Sequence, residues 1–267
     1  MRAAALAAAC AAALALLTGC GERAEPTGKT VPLYPVTIEQ GAGQPIVVKR
    51  QPQRVVATTP AAAELLGAVE EKKVTPTQVT TGADLVVATP DAEHVTAAAP
   101  VYTAPDSSIA DVERALTDLG LLLDRPLSAR RLVERIESKR DFVRKHLERA
   151  KPVTVFVDTG FFITPSSNSL IGDLVRQAGG KDIAGLHPPA GPFDVKQIRR
   201  LDPDYYLATS DSGVTFHDLR HDQRTRRLRA VELHHFAIVP TRLVKPGALV
   251  GTGLLTIARV LHPDAFR

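Results

Sequence analysis

The chain has 267 residues, a formal net charge of +4, 44% hydrophobic residues, 4% aromatics and no tryptophan. So few aromatics and so small a basic excess speak against base-stacking platforms and a nucleic-acid surface, and fit solubility or attraction to an anionic ligand. Both cysteines, Cys10 and Cys20, fall within the first 20 residues. That excludes a disulfide framework or a cysteine metal site in the remainder, so apolar burial must hold any core.

Met1 to Cys20 reads as a processed leader, with Arg2 at its start and an apolar run from Ala3 to Leu17 too short to span a bilayer. Leu17-Thr18-Gly19-Cys20 resembles a bacterial lipoprotein processing site. The resemblance implies a signal peptide over 1–20 and a lipid on Cys20. Several acyl chains, at ~0.8 kcal/mol per buried methylene, hold a protein on a membrane where one does not. Residues 21–45 read as a tether, the stretch from Gly21 to Pro35 mixing charge, Pro, Thr and Gly. Val36 to Val48 carries two strand-like runs around Gly41-Ala42-Gly43, a hairpin pattern.

A core strand is expected at Val55-Val56-Ala57, then a loop at Thr58-Thr59-Pro60 and a helix from Ala61 to Val69 with Pro60 at its start. Asp84 to Val87 is a second strand and Pro100 to Tyr102 a third. The cluster Asp106-Ser107-Ser108 caps a helix running to about Leu119, with Gly120 as its stop. From 127 to 150 the apolar residues Leu132, Ile136, Val143 and Leu147 lie on one face of a long, otherwise charged helix.

The strand Val153 to Val157 leads into a loop with Phe161 and Phe162 and several hydroxyls. A helix comes next, from Leu170 to Ala178, stopped by Gly179-Gly180. Val195 to Ile198 is a short helix, Asp204 to Thr209 a strand, Arg220 to Leu233 a basic helix, Phe236 to Val239 a strand, and Thr252 to Leu261 a last helix. Arg54–Thr59 with Asp84–Thr89, and Val153–Gly160 with Asp204–Thr209, repeat one strand–helix–strand order. Such alternation predicts an α/β fold with parallel sheets and right-handed crossovers.

Several stretches carry a family resemblance. They are Pro52-Gln53-Arg54-Val55-Val56, Asp84-Leu85-Val86-Val87, Gln177-Ala178-Gly179-Gly180-Lys181-Asp182-Ile183 and Asp202-Pro203-Asp204-Tyr205-Tyr206-Leu207. In that order they resemble the class III periplasmic solute-binding proteins of ATP-binding-cassette (ABC) importers, which serve iron–siderophores, haem and cobalamin. The resemblance covers nearly all of Ile46 to Phe266. It implies two Rossmann-like lobes, a shortened first lobe at 46–126 and a second at 151–267, joined by a connecting helix at 127–150. It implies a binding cleft between them formed by Thr58, Thr59, Pro60, Ala61, Phe161, Phe162, Thr164, Phe193, Arg242 and Lys245, with Leu243 beside the last two. It also implies a metal-chelate ligand, an ABC permease as partner, and an extracytoplasmic, lipid-anchored location, with no cofactor. Two departures stand out. The span between the first helix and the second core strand is shorter than in the family. The short helices expected at Thr77-Gln78 and Lys196-Gln197 lack the glutamates with which the family meets its permease. These departures favour an alternative, a degenerate relative serving as an envelope scaffold or interaction module.

The same residues admit other chemistries. Asp158-Thr159-Gly160 after an apolar strand is also the signature of aspartic proteases, which need a second aspartate and an all-β fold. His217 and His221 are spaced to share one side of a helix, as metal ligands can, near His234-His235, although surface histidines explain them equally. The arginines from Arg220 to Arg229 suit a solvated helix face. No nucleophile–base pair emerges, so the reading is of a binding protein, not an enzyme, and without a resident metal.

Overall fold

Two parallel sheets form where the sequence has short β-branched runs, and the helices between them supply most of the core. The computed structural model describes residues 33–40, 44–92, 95–184 and 191–267. The expected leader with Cys20, the tether up to residue 32 and the hairpin tip Gly41 to Gly43 lie outside the described residues. Residues 34–267 pack as one unit.

Strands β1 (Val36–Ile38) and β2 (Ile46–Val48) pair antiparallel, as the hairpin pattern implies. Strands β3 (Val55–Ala57), β4 (Leu85–Ala88) and β5 (Val101–Thr103) form a three-stranded parallel sheet in that order. Helix α1 (Pro60–Glu70) connects β3 to β4, with proline in its first turn and Thr59 Oγ1 accepting from Ala62 N at 3.2 Å. It buries Ala62, Leu65, Leu66 and Val69 and turns Glu64 outward.

The short helix expected at Thr77-Gln78 is absent. Pro76 disfavours a helical Thr75, and the β-branched Thr77, Val79, Thr80 and Thr81 weaken any helix beyond it. Instead the segment runs along the end of β3, with Thr77 N donating to Ala57 O at 2.9 Å and Gln78 Nε2 to Thr58 O at 2.9 Å.

Helix α2 (Ile109–Leu122) starts at Ser108, whose Oγ accepts from Asp111 N at 3.1 Å. It runs through Gly120 and does not stop there. A Cβ at Gly120 would lie 2.4 Å from the Ala129 methyl, so this glycine permits close contact between α2 and α3 (Pro126–His146). Helix α3 buries Ala129, Leu132, Ile136 and Val143, the stripe its periodicity indicates.

The second sheet contains β6 (Val153–Asp158), β8 (Gly180–Asp182), β10 (Tyr205–Thr209) and β11 (Phe236–Val239). All pair parallel in the order β11-β10-β6-β8. The chain leaves β6 through α4 (Leu170–Gln177) to β8 on one side, then crosses back to β10 and β11 on the other. A topological switch point therefore lies between the carboxyl ends of β6 and β10. The small pair β7 (Ile163–Thr164) and β9 (Gly191–Pro192) extends the loop after β6.

Helices α5 (Val195–Leu201), α6 (Phe216–His221) and α7 (Arg229–Glu232) pack over Phe156, Tyr206 and Ala208 on one face of this sheet. The basic helix expected over Arg220 to Leu233 is thus two short helices with a turn between them. The turn is pinned by Thr225, fully buried, whose hydroxyl donates to Leu219 O at 2.7 Å.

Helix α8 (Val250–Leu261) lies against the other face and against α3, where Gly251 comes close to Ile136. One apolar cluster runs from the first sheet through α3 and α8 to the near face of the second. A polar link adds to it: Ile109 N, at the start of α2, donates to the buried carboxylate of Asp173 on α4 at 2.8 Å.

The repeated order in the sequence has a physical counterpart. Asp84, just before β4, accepts from Gln53 N and Arg54 N at 3.0 and 2.9 Å. Asp204, just before β10, accepts from Thr154 N and Oγ1 at 2.9 and 2.8 Å. Each aspartate thereby fixes the neighbouring core strand in register.

Candidate functional site

The loop after β6 is shaped by Asp158. Its carboxylate is fully buried and accepts from Gly160 N at 2.8 Å, Phe162 N at 3.0 Å and the Tyr206 hydroxyl. Burial, reinforced by that carboxylate, pushes the Tyr206 phenol well up, so it stays a proton donor. With its oxygens held by three donors, Asp158 builds a loop and has no opening for acid chemistry, and the helix after it departs from the protease pattern.

The clamp forces Phe161 and Phe162 into left-handed backbone, at φ 46° and 67°. This conformation is strained for residues with a bulky side chain. Phe161 is 75% exposed, and its ring edge lies beside Gly213 in the turn after β10. Phe162 is half-buried against the outer core cluster, with the Arg224 guanidinium 5.7 Å from its ring centroid. Phe193 packs against Phe156 with centroids 5.9 Å apart. Thr164 is buried, and its hydroxyl has no hydrogen-bond partner among the described residues.

In the first sheet, Thr58 and Thr59 are also buried. Thr58 N donates to Val87 O at 2.9 Å, and Thr59 caps α1 while meeting the Thr89 hydroxyl. Pro60 is exposed and Ala61 half-buried.

A cavity of about 890 Å³ lies between α1 and the loops that follow β10 and β11. Of the residues to which the sequence points, it brings together Arg242 and Lys245. Both are exposed and neither has an ion-pair or hydrogen-bond partner among the described residues. Across from them α1 contributes Glu64, Gly67 and Ala68.

The cationic wall is braced. Arg242 sits on a single 3-10 turn, Thr241–Leu243, whose Leu243 is buried. Gly253 of α8 presses on that turn so closely that a Cβ would stand 2.0 Å from Leu243 O. The two loops are cross-linked by Ser210 Oγ and Thr241 Oγ1 at 3.0 Å, with Thr241 N donating to Ser210 Oγ at 3.0 Å.

Thr58, Thr59, Phe161, Phe162, Thr164 and Phe193 do not line this cavity. Glu64, Ser210, Asp211 and Thr241 do, and the sequence reading missed them. Two signals were there: Glu64 is the one charge in Ala61 to Val69, and Ser210-Asp211 directly follows the second Asp-led strand.

His217 and His221 are exposed, with ring centroids 4.0 Å apart, and His221 Nδ1 lies 2.8 Å from His217 O. Among the described residues no group of three or more His, Cys, Asp or Glu is placed to hold a metal. Among them, too, no helix is long and apolar enough to cross a membrane.

A profile of the family described as periplasmic binding protein matches residues 72–243. No curated protein matches the chain in sequence. Among solved structures, it is similar to CeuE of Helicobacter pylori in a Ni-His complex, with a TM-score of 0.74 at 14% identity over 86% of this chain and 89% of that one. An ABC transporter substrate-binding protein from Listeria monocytogenes matches with a TM-score of 0.67 at 18% identity, over 80% of this chain and 100% of that one. The vitamin B12-binding protein BtuF of Vibrio cholerae matches with a TM-score of 0.67 at 12% identity, over 81% and 98%.

Proposed function

Because the chain belongs to the periplasmic binding protein family, we propose that it captures a negatively charged metal chelate outside the cytoplasm and delivers it to an ABC permease. It is a solute-binding protein and not an enzyme. The observation that carries the ligand assignment is the cavity of about 890 Å³ at the carboxyl ends of β10 and β11, walled by Arg242 and Lys245, which have no ion-pair partner among the described residues. Its volume falls in the ~300–1,000 Å³ range of small-molecule sites. It lies at the carboxyl ends of parallel strands, the end at which ligands bind in open α/β sheets, one strand away from the switch point between β6 and β10. Charge-assisted hydrogen bonds from arginine suit carboxylate or catecholate oxygens. The Ni-His complex in the name of one similar structure, and the naming of another as a vitamin B12-binding protein, support the chelate class.

In this reading residues 46–126 and 151–267 are the two lobes and 127–150 the connector. The loop after β6, with Phe161 beside the turn that follows β10, borders the site without lining its cavity, and the buried threonines position the loops around it. A lipid on Cys20 holds the protein at the membrane. Lys196, exposed on α5, indicates that the permease presents a surface unlike one built for glutamates.

A thermal-shift panel of ferric chelates of different charge, haem and cobalamin tests the assignment. A ligand at 100 times its dissociation constant adds about 2.7 kcal/mol, a shift of several degrees. A shift with an anionic chelate supports the proposal. No shift across the panel supports the scaffold alternative. Cys20→Ser should move the protein from the membrane to the soluble fraction, and its retention on the membrane would refute the anchor.

A further inference from the structure

The cavity wall is not purely cationic. Lys72 is already paired with Glu70 at 2.8 Å, and Glu71 with Arg131 at 3.2 Å. The charges left without an ion pair among the described residues are Glu64, Lys73, Asp211, Arg242 and Lys245. Carboxylates thus stand on both walls. Glu64 projects from the middle of α1, its Cβ near Gly247 of the opposite loop. Asp211 sits on the cross-linked turn, its N–H donating to Thr241 Oγ1 at 3.2 Å while one of its carboxylate oxygens accepts from Ser210 Oγ at 3.2 Å.

A wholly anionic ligand reaching Arg242 and Lys245 would crowd its own charge against Glu64 and Asp211. A wholly cationic one would meet the arginine. Only a ligand bearing both signs leaves every group on these walls opposed to its complement. We infer that the cavity selects an amphoteric chelate, with anionic groups on Arg242 and Lys245 and a protonated amine on Glu64 and Asp211. This rests on the solute-binding reading above and narrows its ligand class.

The test uses one ferric polycarboxylate chelate carrying a free primary amine, and its N-acetyl derivative. The two differ in a single charge. Wild-type protein should bind the amine form about tenfold more tightly, the scale of one charged hydrogen bond. Glu64→Gln/Asp211→Asn should erase that preference, whereas Arg242→Gln should weaken both forms and preserve it. Equal wild-type affinities, or a preference that survives Glu64→Gln/Asp211→Asn, overturn the inference while leaving the solute-binding reading intact. Binding of neither form overturns the polycarboxylate-chelate reading and this inference with it.

Discussion

At the scale of single residues, the loop after β6 shows strain held in place by buried hydrogen bonds. Asp158 accepts from Gly160 N, Phe162 N and the Tyr206 hydroxyl, and the left-handed Phe161 and Phe162 are the consequence. The two aromatics were visible in the sequence, but their fates were not. Alternation cannot tell which of two adjacent phenylalanines packs inward once the backbone leaves the strand. Phe162 joined the core and Phe161 remained 75% exposed. A glycine tolerates positive φ, and little burial is lost at so exposed a position. Phe161→Gly should therefore leave the protein as stable or about 1 kcal/mol more stable, as read by urea unfolding, because relief of strain offsets the entropy of the unfolded chain. A large loss of stability would show that the loop is not strained.

At the scale of elements, two contacts decide what the second sheet can present. The first is α8 against the turn that carries Arg242. With Leu243 O only 2.0 Å from the position of a Cβ at Gly253, alanine there must displace the turn. Gly253→Ala should cost about 1–3 kcal/mol, as overpacking does, and weaken ligand binding through Arg242, although residue 253 does not line the cavity. Unchanged affinity in a folded variant would mean that the turn does not position the arginine.

The second contact is the aspartate clamp. Burial tends to raise the pKa of Asp204, but Thr154 N–H, the Thr154 hydroxyl and Arg229 outweigh it and hold the carboxyl below its usual range. A depressed folded-state pKa contributes stability that is complete above the unfolded value, near 3.9, and is lost as pH falls through the folded value. Asp204→Asn should thus be less stable than wild type at pH 7 by about 1 kcal/mol, allowing for partial exposure. The gap should close as unfolding is measured below about pH 4. A gap independent of pH would deny the carboxylate its role.

The clamp is also where the sequence was most informative. The doubled strand–helix–strand order pointed to two parallel sheets, and an aspartate before β4 and before β10 marks both. Helix ends were less legible. Gly120 reads as a stop unless Ala129 is known to press on it. The basic run after Arg220 reads as one helix unless Thr225 is known to be buried. Both depend on tertiary contacts that a local pattern cannot contain.

At the scale of the whole molecule, the two sheets are tied by a shared core through α3 and α8 and by the bond from Ile109 N to Asp173. The cavity between α1 and the β10 and β11 loops is therefore set in a braced frame. Arg242 and Lys245, to which the sequence points, form its cationic half. Its acidic half was not legible in the sequence, because Glu64 faces the cavity only once α1 is packed against the first sheet. The measurement that tests this account most directly is the dissociation constant of an anionic ferric chelate for wild-type protein and for Arg242→Gln/Lys245→Gln. The account predicts saturable binding to the wild type and at least a tenfold loss in the variant, the scale of one charge-assisted hydrogen bond. Equal affinity in both would contradict it, because the ligand would then sit elsewhere.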